Sequence, residues 1–468
     1  MTDLRELTIA EAARAIERRQ VSPVELTRAY LDAIGRLNPG LNAYVTVTAE
    51  RAEQDARRAA DEVAAGRYLG PLHGIPIGLK DLYDTEGIET FGGAEVLRGR
   101  IPGADSTAAR KLREAGSVLL GKTNTHEFAW GTTTNNPHTG ATRNPWDTSR
   151  IPGGSSGGSG AAIAARVAAG TLGTDTGGSI RIPAALNGCV GLKPTFGRAS
   201  KAGVLPMSWQ YDHPGPIART VEDAAILLGC IAGYDPADFA TVPVPVPDYR
   251  AALGGGVSGL RVGVPREQFF GLLDAEVIVA VEEALETLRG LGADVFDIDA
   301  GFTREQTIKA WQLVIAEGQV HHRPHFGARP DAYSEELRNV MQQPLPDAHA
   351  LTEAYRTSYD IKEGVRRAFE SVDVMVTPTA MRAASLIGED QVEVEGVKMS
   401  TGAAFASLTM PFNIAGVPAM SIPCGFTADG LPIGLQIAGR PFDEATVLRL
   451  GHAYECATEW HRRRAPVG

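Results

Sequence analysis

Residues 151 to 160 read IPGGSSGGSG, and after the first two positions no side chain is larger than that of serine. A stretch like this is either a solvated tether or backbone that something must approach closely. The residues that follow argue for the second. An alanine-rich run, AAIAARVAAG (161 to 170), reads as a helix that permits very close packing, and GTDTGGSIR (173 to 181) then brings another glycine pair ending in serine. Twenty-four positions separate Ser155 from Ser179, enough for the chain to leave through one helix and return, so the two serines can meet.

Glycines beside a nucleophilic serine have a physical purpose. Successive backbone N–H groups can converge on one small volume, with no Cβ to keep a substrate carbonyl away. Thr176, Gly177, Gly178 and Ser179 supply four consecutive amides of this kind and are the expected oxyanion hole, where losing one donor costs about 3 kcal/mol of transition-state stabilisation. A serine hydroxyl also needs a base. Lys80 ends the apolar run IPIGL, where burial disfavours the ammonium and draws its pKa down from ~10.4. The competing reading is a strand-end lysine that extends to water.

Two other patterns need a context this chain lacks. GSVLLGKT (116 to 123) matches G-x-x-x-x-G-K-T, but Gly116 closes a helix and the next residues read as an apolar strand that cannot curl around a phosphate. GGSSG and GSSGG fit the strand-to-helix elbow of α/β-hydrolases, which requires an acid and a histidine downstream. His213, His321, His322, His325 and His452 are the candidates, and none stands in a turn that singles it out. HHRPHF (321 to 326) shows no carboxylate or cysteine at helical ligand spacing, so a solvated polar helix is expected there rather than a metal site.

Organisation follows from periodicity. The first sixty-odd residues read as helices, with Ser22, Pro23 and Glu25 forming a capping box. Strands are expected within 74 to 87, at SVLLGKTN, within 259 to 266, at ADVFDID, at 372 to 379 and as a C-terminal pair; helices at 106 to 116, 220 to 233, 274 to 292 and through much of 303 to 370. The fold class is therefore α/β: one large domain over 1 to 468, with a mixed central sheet flanked by helices on both faces and an N-terminal helical segment (about 1 to 65) packed on a core of about 70 to 220.

The motifs GIPIGLKD (74 to 81), GGSSGGSGAA (153 to 162) and GTDTGGSIRIPAALNGCVGLKPTFGR (173 to 198) resemble the amidase signature family. TNTHEFAWG, DHPGPIART and GLPIGLQIAGRPFDE extend the resemblance over nearly the whole chain. It implies a seryl hydrolase of amide C–N bonds with Ser179 as nucleophile, Ser155 behind a cis peptide bond, and Lys80 as base, working through an acyl-enzyme with neither metal nor cofactor. Ser156 shares the loop, as a triad partner or a loop-stabilising hydroxyl, and Asp175 with Arg181 reads as a structural pair.

The expected substrate is a small apolar or aryl amide, with carbamates and esters presenting the same carbonyl; Trp130, Met207 and Trp209 are the candidate pocket residues. A net charge of −11 argues against a nucleic-acid or anionic-membrane partner; a homodimer is left open. Cys189, Cys230, Cys424 and Cys456 show no ligand spacing and read as reduced thiols, and no apolar run has the length of a leader or span, so a cytoplasmic location is expected. The alternative function is the glutaminase-like component of a tRNA-dependent amidotransferase. Against it, residues 315 to 337 lack the arginine before a tyrosine-aspartate-glycine run that marks that component. A Ser-His-Asp esterase is more remote.

Overall fold

Eleven strands share one mixed sheet in the computed structural model, which describes residues 3–467. In chain order the first strands are β1 (Tyr44–Val47), β2 (Pro76–Lys80) and β3 (Val118–Thr123), then a small hairpin of β4 (Asn135–Asn136) and β5 (Gly140–Ala141). Next come β6 (Gly170–Asp175), β7 (Val190–Lys193), β8 (His213–Ala218), β9 (Arg261–Val264), β10 (Asp294–Asp297) and β11 (Val374–Pro378). A second hairpin, β12 (Gln391–Val394) with β13 (Val397–Ser400), precedes β14 (Ala419–Phe426) and β15 (Pro432–Gly439). The sheet order is β1-β3-β2-β6-β8-β7-β14-β15-β11-β9-β10.

The strands that carry chemistry lie inside this sheet. β2 runs parallel to β3 on one side and to β6 on the other. Every residue of all three is buried, as expected of parallel strands covered by helices on both faces. The crossover from β2 to β3 uses the helix Thr107–Glu114, started by the Ser106 hydroxyl accepting from the Ala109 amide and closed near Gly116 at φ +79°. GSVLLGKT is therefore helix end and strand, and its lysine, Lys122, is buried and donates to Tyr83 O, Thr85 Oγ1 and Thr90 Oγ1. No phosphate loop exists there.

The glycine-rich segment is close-packed backbone. Its helix begins at Gly157, four residues before the alanine run, and ends at Ala164. A Cβ on Gly158 would lie 2.4 Å from the Asn124 amide nitrogen and 2.5 Å from Ala43 O, and one on Gly157 would lie 2.4 Å from Thr134 Oγ1. Gly158→Ala is accordingly expected to cost about 1–3 kcal/mol in urea unfolding, because the neighbours are backbone and cannot yield. Gly254→Ala, with nothing within 4 Å of the added carbon, is the control that should be nearly neutral.

Elsewhere the chain differs from its sequence-based reading in instructive ways. The N-terminal segment adds β1 as an edge strand antiparallel to β3, besides its helices Ile9–Glu17, Pro23–Leu41 and Ala49–Ala64. β6, β7, β8 and the helix Arg181–Asn187 were not anticipated; all are fully buried, so none has an exposed face whose polar residues would mark a period. The polar middle section forms two long helices, Arg304–Ala328 and Ala348–Ser371, packed on each other. Among the described residues no helix is long and apolar enough to cross a membrane. All four cysteines are free thiols.

Candidate active site

Lys80 stands at the end of β2 with no exposed surface. Its Nζ donates to Ser155 Oγ at 2.7 Å and to Thr174 Oγ1 at 2.8 Å, so it does not extend to water. Burial brings its pKa down to about 7, against the pull of the Asp212 and Asp175 carboxylates toward the charged form. A lysine poised there exchanges a proton near neutrality.

Ser155 follows a cis peptide bond from Gly154. Its carbonyl accepts from the His126 amide at 3.1 Å and from the hydroxyls of Thr125 at 3.1 Å and Thr134 at 3.2 Å, which fixes the loop from three sides. The second serine segment docks directly on this loop: the Ser156 amide donates to Ser179 O at 3.2 Å. Ser156 Oγ donates to Thr174 O at 3.2 Å and accepts from the Thr174 amide at 3.3 Å. That geometry makes Ser156 a clasp between β6 and the loop.

The turn that presents Ser179 is built around one carboxylate. Asp175 accepts from the amides of Gly178 at 2.8 Å, Ile180 at 3.1 Å and Arg181 at 3.4 Å. It also takes the Arg181 guanidinium at 2.9 and 3.0 Å, both side chains having no exposure. Burial alone would raise the Asp175 pKa, but Arg181 outweighs it and holds the carboxyl well below the usual range. Of the four expected oxyanion donors, the Gly178 N–H is already committed to Asp175 and Thr176 does not line the cavity. Gly177 and Ser179 line the cavity and, among the described residues, their amides have no protein acceptor.

The cavity over Ser179 measures about 320 Å³. Ala129, Trp130, Gly131 and Thr132 form one wall, and Ile308 and Trp311 from the helix Arg304–Ala328 form another, with Ile182, Met207 and Met410 completing the apolar lining. Two of the three candidate pocket residues, Trp130 and Met207, line this cavity. Trp209 does not: it is 41% exposed and borders a separate cavity with Lys201 and Asp212. Ile308, Trp311 and Met410 had no local signal, since an apolar residue on a helix reads the same whether it faces a core or a cavity.

The wall at residues 126 to 131 is held by acid–histidine contacts. His126 Nε2 lies 3.1 Å from Glu336, and the buried Glu127 carboxylate takes His138 at 3.0 Å and the Ser334 amide at 3.1 Å. None of His213, His321, His322, His325 or His452 lines the cavity. His322 packs against Phe128 and Tyr333, and burial first, then the neighbouring histidines, lowers it to about 3. Among the described residues no three histidine, cysteine or acidic side chains are grouped to hold a metal ion.

The amidase family profile matches residues 25–448. Over 99% of both chains, this one is 41% identical to the A subunit of the glutamyl-tRNA(Gln) amidotransferase of Geobacter sp. (strain M21). The solved A subunit of the glutamyl-tRNA(Gln) amidotransferase of Thermotoga maritima superposes with a TM-score of 0.80 at 32% identity, covering 97% of this chain and 95% of that one. A bacterial aryl acylamidase of the amidase signature family superposes with a TM-score of 0.91 at 27% identity, covering 99% and 98%.

These relatives overturn two expectations. A free-standing hydrolase of small apolar or aryl amides, carbamates or esters gives way, because the 41% identity runs end to end along one component of an amidotransferase. The restriction to a small-molecule partner without nucleic acid falls with it. Charge was the reason for that restriction, and a net charge of −11 describes only this chain's own field.

Proposed function

The chain belongs to the amidase family, and on that premise we propose that it serves as the amide-cleaving component of a glutamyl-tRNA amidotransferase. The observation that carries this reading is the 41% identity over 99% of both chains. Its amide donor is a primary amide of the glutamine type, from which ammonia is released for transfer to the glutamyl group.

In this reading Ser179 Oγ attacks the donor's carbonyl carbon. Neutral Lys80 takes the hydroxyl proton by way of Ser155, whose Oγ lies 2.7 Å from Nζ. The amides of Gly177 and Ser179 receive the developing oxyanion. The proton returns along the same path to the amide nitrogen, the C–N bond breaks, and ammonia leaves a seryl ester. Water attacks that ester with the same base and frees the acid and Ser179.

Ammonia release from glutamine by the purified chain, alone and with the remaining components, tests the reading, alongside formation of glutaminyl-tRNA from glutamyl-tRNA. Because only the neutral amine accepts a proton, the rate should rise with pH through about 7 and be lost below it. Absence of both ammonia release and amide transfer in the assembled enzyme would sink the proposal.

A further inference from the structure

Asp212 is buried just before β8 and bonds two segments at once. Its Oδ1 accepts from the Thr176 hydroxyl at 2.5 Å, at the start of the turn that presents Ser179. Its Oδ2 accepts from the amides of Met207 at 2.8 Å and Ser208 at 3.0 Å, and Met207 is part of the cavity wall. Its negative charge also acts on Lys80. The charged and titratable neighbours in this region include Asp175, whose charge also acts on Lys80; Lys201, whose ammonium lies over the Phe196 ring; Asp238, which borders the same cavity as Lys201; and Tyr83.

We propose that Asp212 is a positioning residue: one carboxylate joins the nucleophile turn to the wall of the amide cavity. The turn and the wall come from segments about thirty residues apart, and no other side chain bonds to both Thr176 and the amides of Met207 and Ser208 among the described residues. A shift in either segment would misplace the carbonyl relative to the Gly177 and Ser179 amides. Burial raises the Asp212 pKa, whereas the Thr176 hydroxyl, Lys201 and the two amides favour the ionised form. The inference rests on the reading of Lys80 as base.

The test uses sulfonylation of Ser179 by phenylmethanesulfonyl fluoride, followed by mass spectrometry across pH, which needs no knowledge of the natural donor. The Oγ–S bond forms, the S–F bond breaks, fluoride departs, and the serine proton passes through Ser155 to Lys80. Asp212→Asn keeps the shape and removes the charge, so Lys80 loses a stabilising anion and the acid limb should move to lower pH by about one unit. Thr176→Val cuts the tether and keeps every charge, so the limb should stay while the plateau rate falls about 10- to 100-fold.

A merely structural Asp212 would alter thermal stability without moving the limb. An unmoved limb in Asp212→Asn, or an unchanged plateau in Thr176→Val, overturns the proposal. If Asp212→Asn does not fold, Thr176→Val still decides the tether. Failure of the underlying reading looks different: the wild type itself would then show no limb near pH 7, or Lys80→Met would be sulfonylated as fast as wild type.

Discussion

Lys80→Met is expected to lower kcat/KM for amide cleavage by about 10³- to 10⁴-fold while leaving the melting temperature within a few degrees of wild type. A positioned general base contributes about 10²–10⁴, and in the proposed mechanism the same amine also returns the proton to the leaving nitrogen, which places the loss at the upper end. Stability should survive for a separate reason. Burial already drives Lys80 toward its neutral form, so methionine, of similar length, replaces a side chain whose charge the fold disfavours. The groups left without Nζ are Ser155 Oγ and Thr174 Oγ1, hydroxyls 2.7 and 2.8 Å from it that can reorient toward one another or a water. Glutamine turnover and a melting curve on one preparation check both halves. Activity within tenfold of wild type would remove Lys80 from the mechanism.

Asp175→Ala carries the largest expected cost in stability, about 3–5 kcal/mol, the penalty for leaving a buried charge without its partner. Arg181 would keep Thr409 O at 2.9 Å, Gln436 Oε1 at 2.6 Å and Asn413 Oδ1 at 2.6 Å, all neutral acceptors. The amides of Gly178, Ile180 and Arg181 would lose the acceptor that shapes the turn. Urea unfolding should show a lower midpoint, and sulfonylation of Ser179 should be nearly abolished under conditions where the variant is still folded. Replacing both members, Asp175→Leu with Arg181→Met, should recover part of the stability and none of the reactivity, because the turn then has packing but no acceptor.

Ser155 and Ser179 stood out because each lies in a run of residues whose smallness has no role in an ordinary core, and Lys80 because it ends an apolar run where a charge is costly. The sheet was legible where helices and strands alternate in period, as from β9 through β10, and illegible in β6, β7 and β8, where every face is covered and the pattern of exposure vanishes. Gly178 looked like an oxyanion donor because the sequence shows which amides are adjacent and not which are already bonded. The cavity drew on Trp311 and Met410, more than a hundred residues beyond Ser179, contacts that no local pattern announces. The functional expectation erred for another reason: one missing tyrosine-aspartate-glycine pattern and one net charge say less about a chain's role than similarity that extends from end to end.

The three proposed catalytic side chains all lie before residue 180, yet Arg181 is anchored by Thr409, Asn413 and Gln436, the last of them on β15. On the ribosome the proposed triad is therefore spelled out in the first two-fifths of translation, while the anchors of Arg181 emerge only with the last strand. A chain ending before residue 409 would carry Lys80, Ser155 and Ser179 without the three acceptors that anchor Arg181 beyond the Asp175 carboxylate.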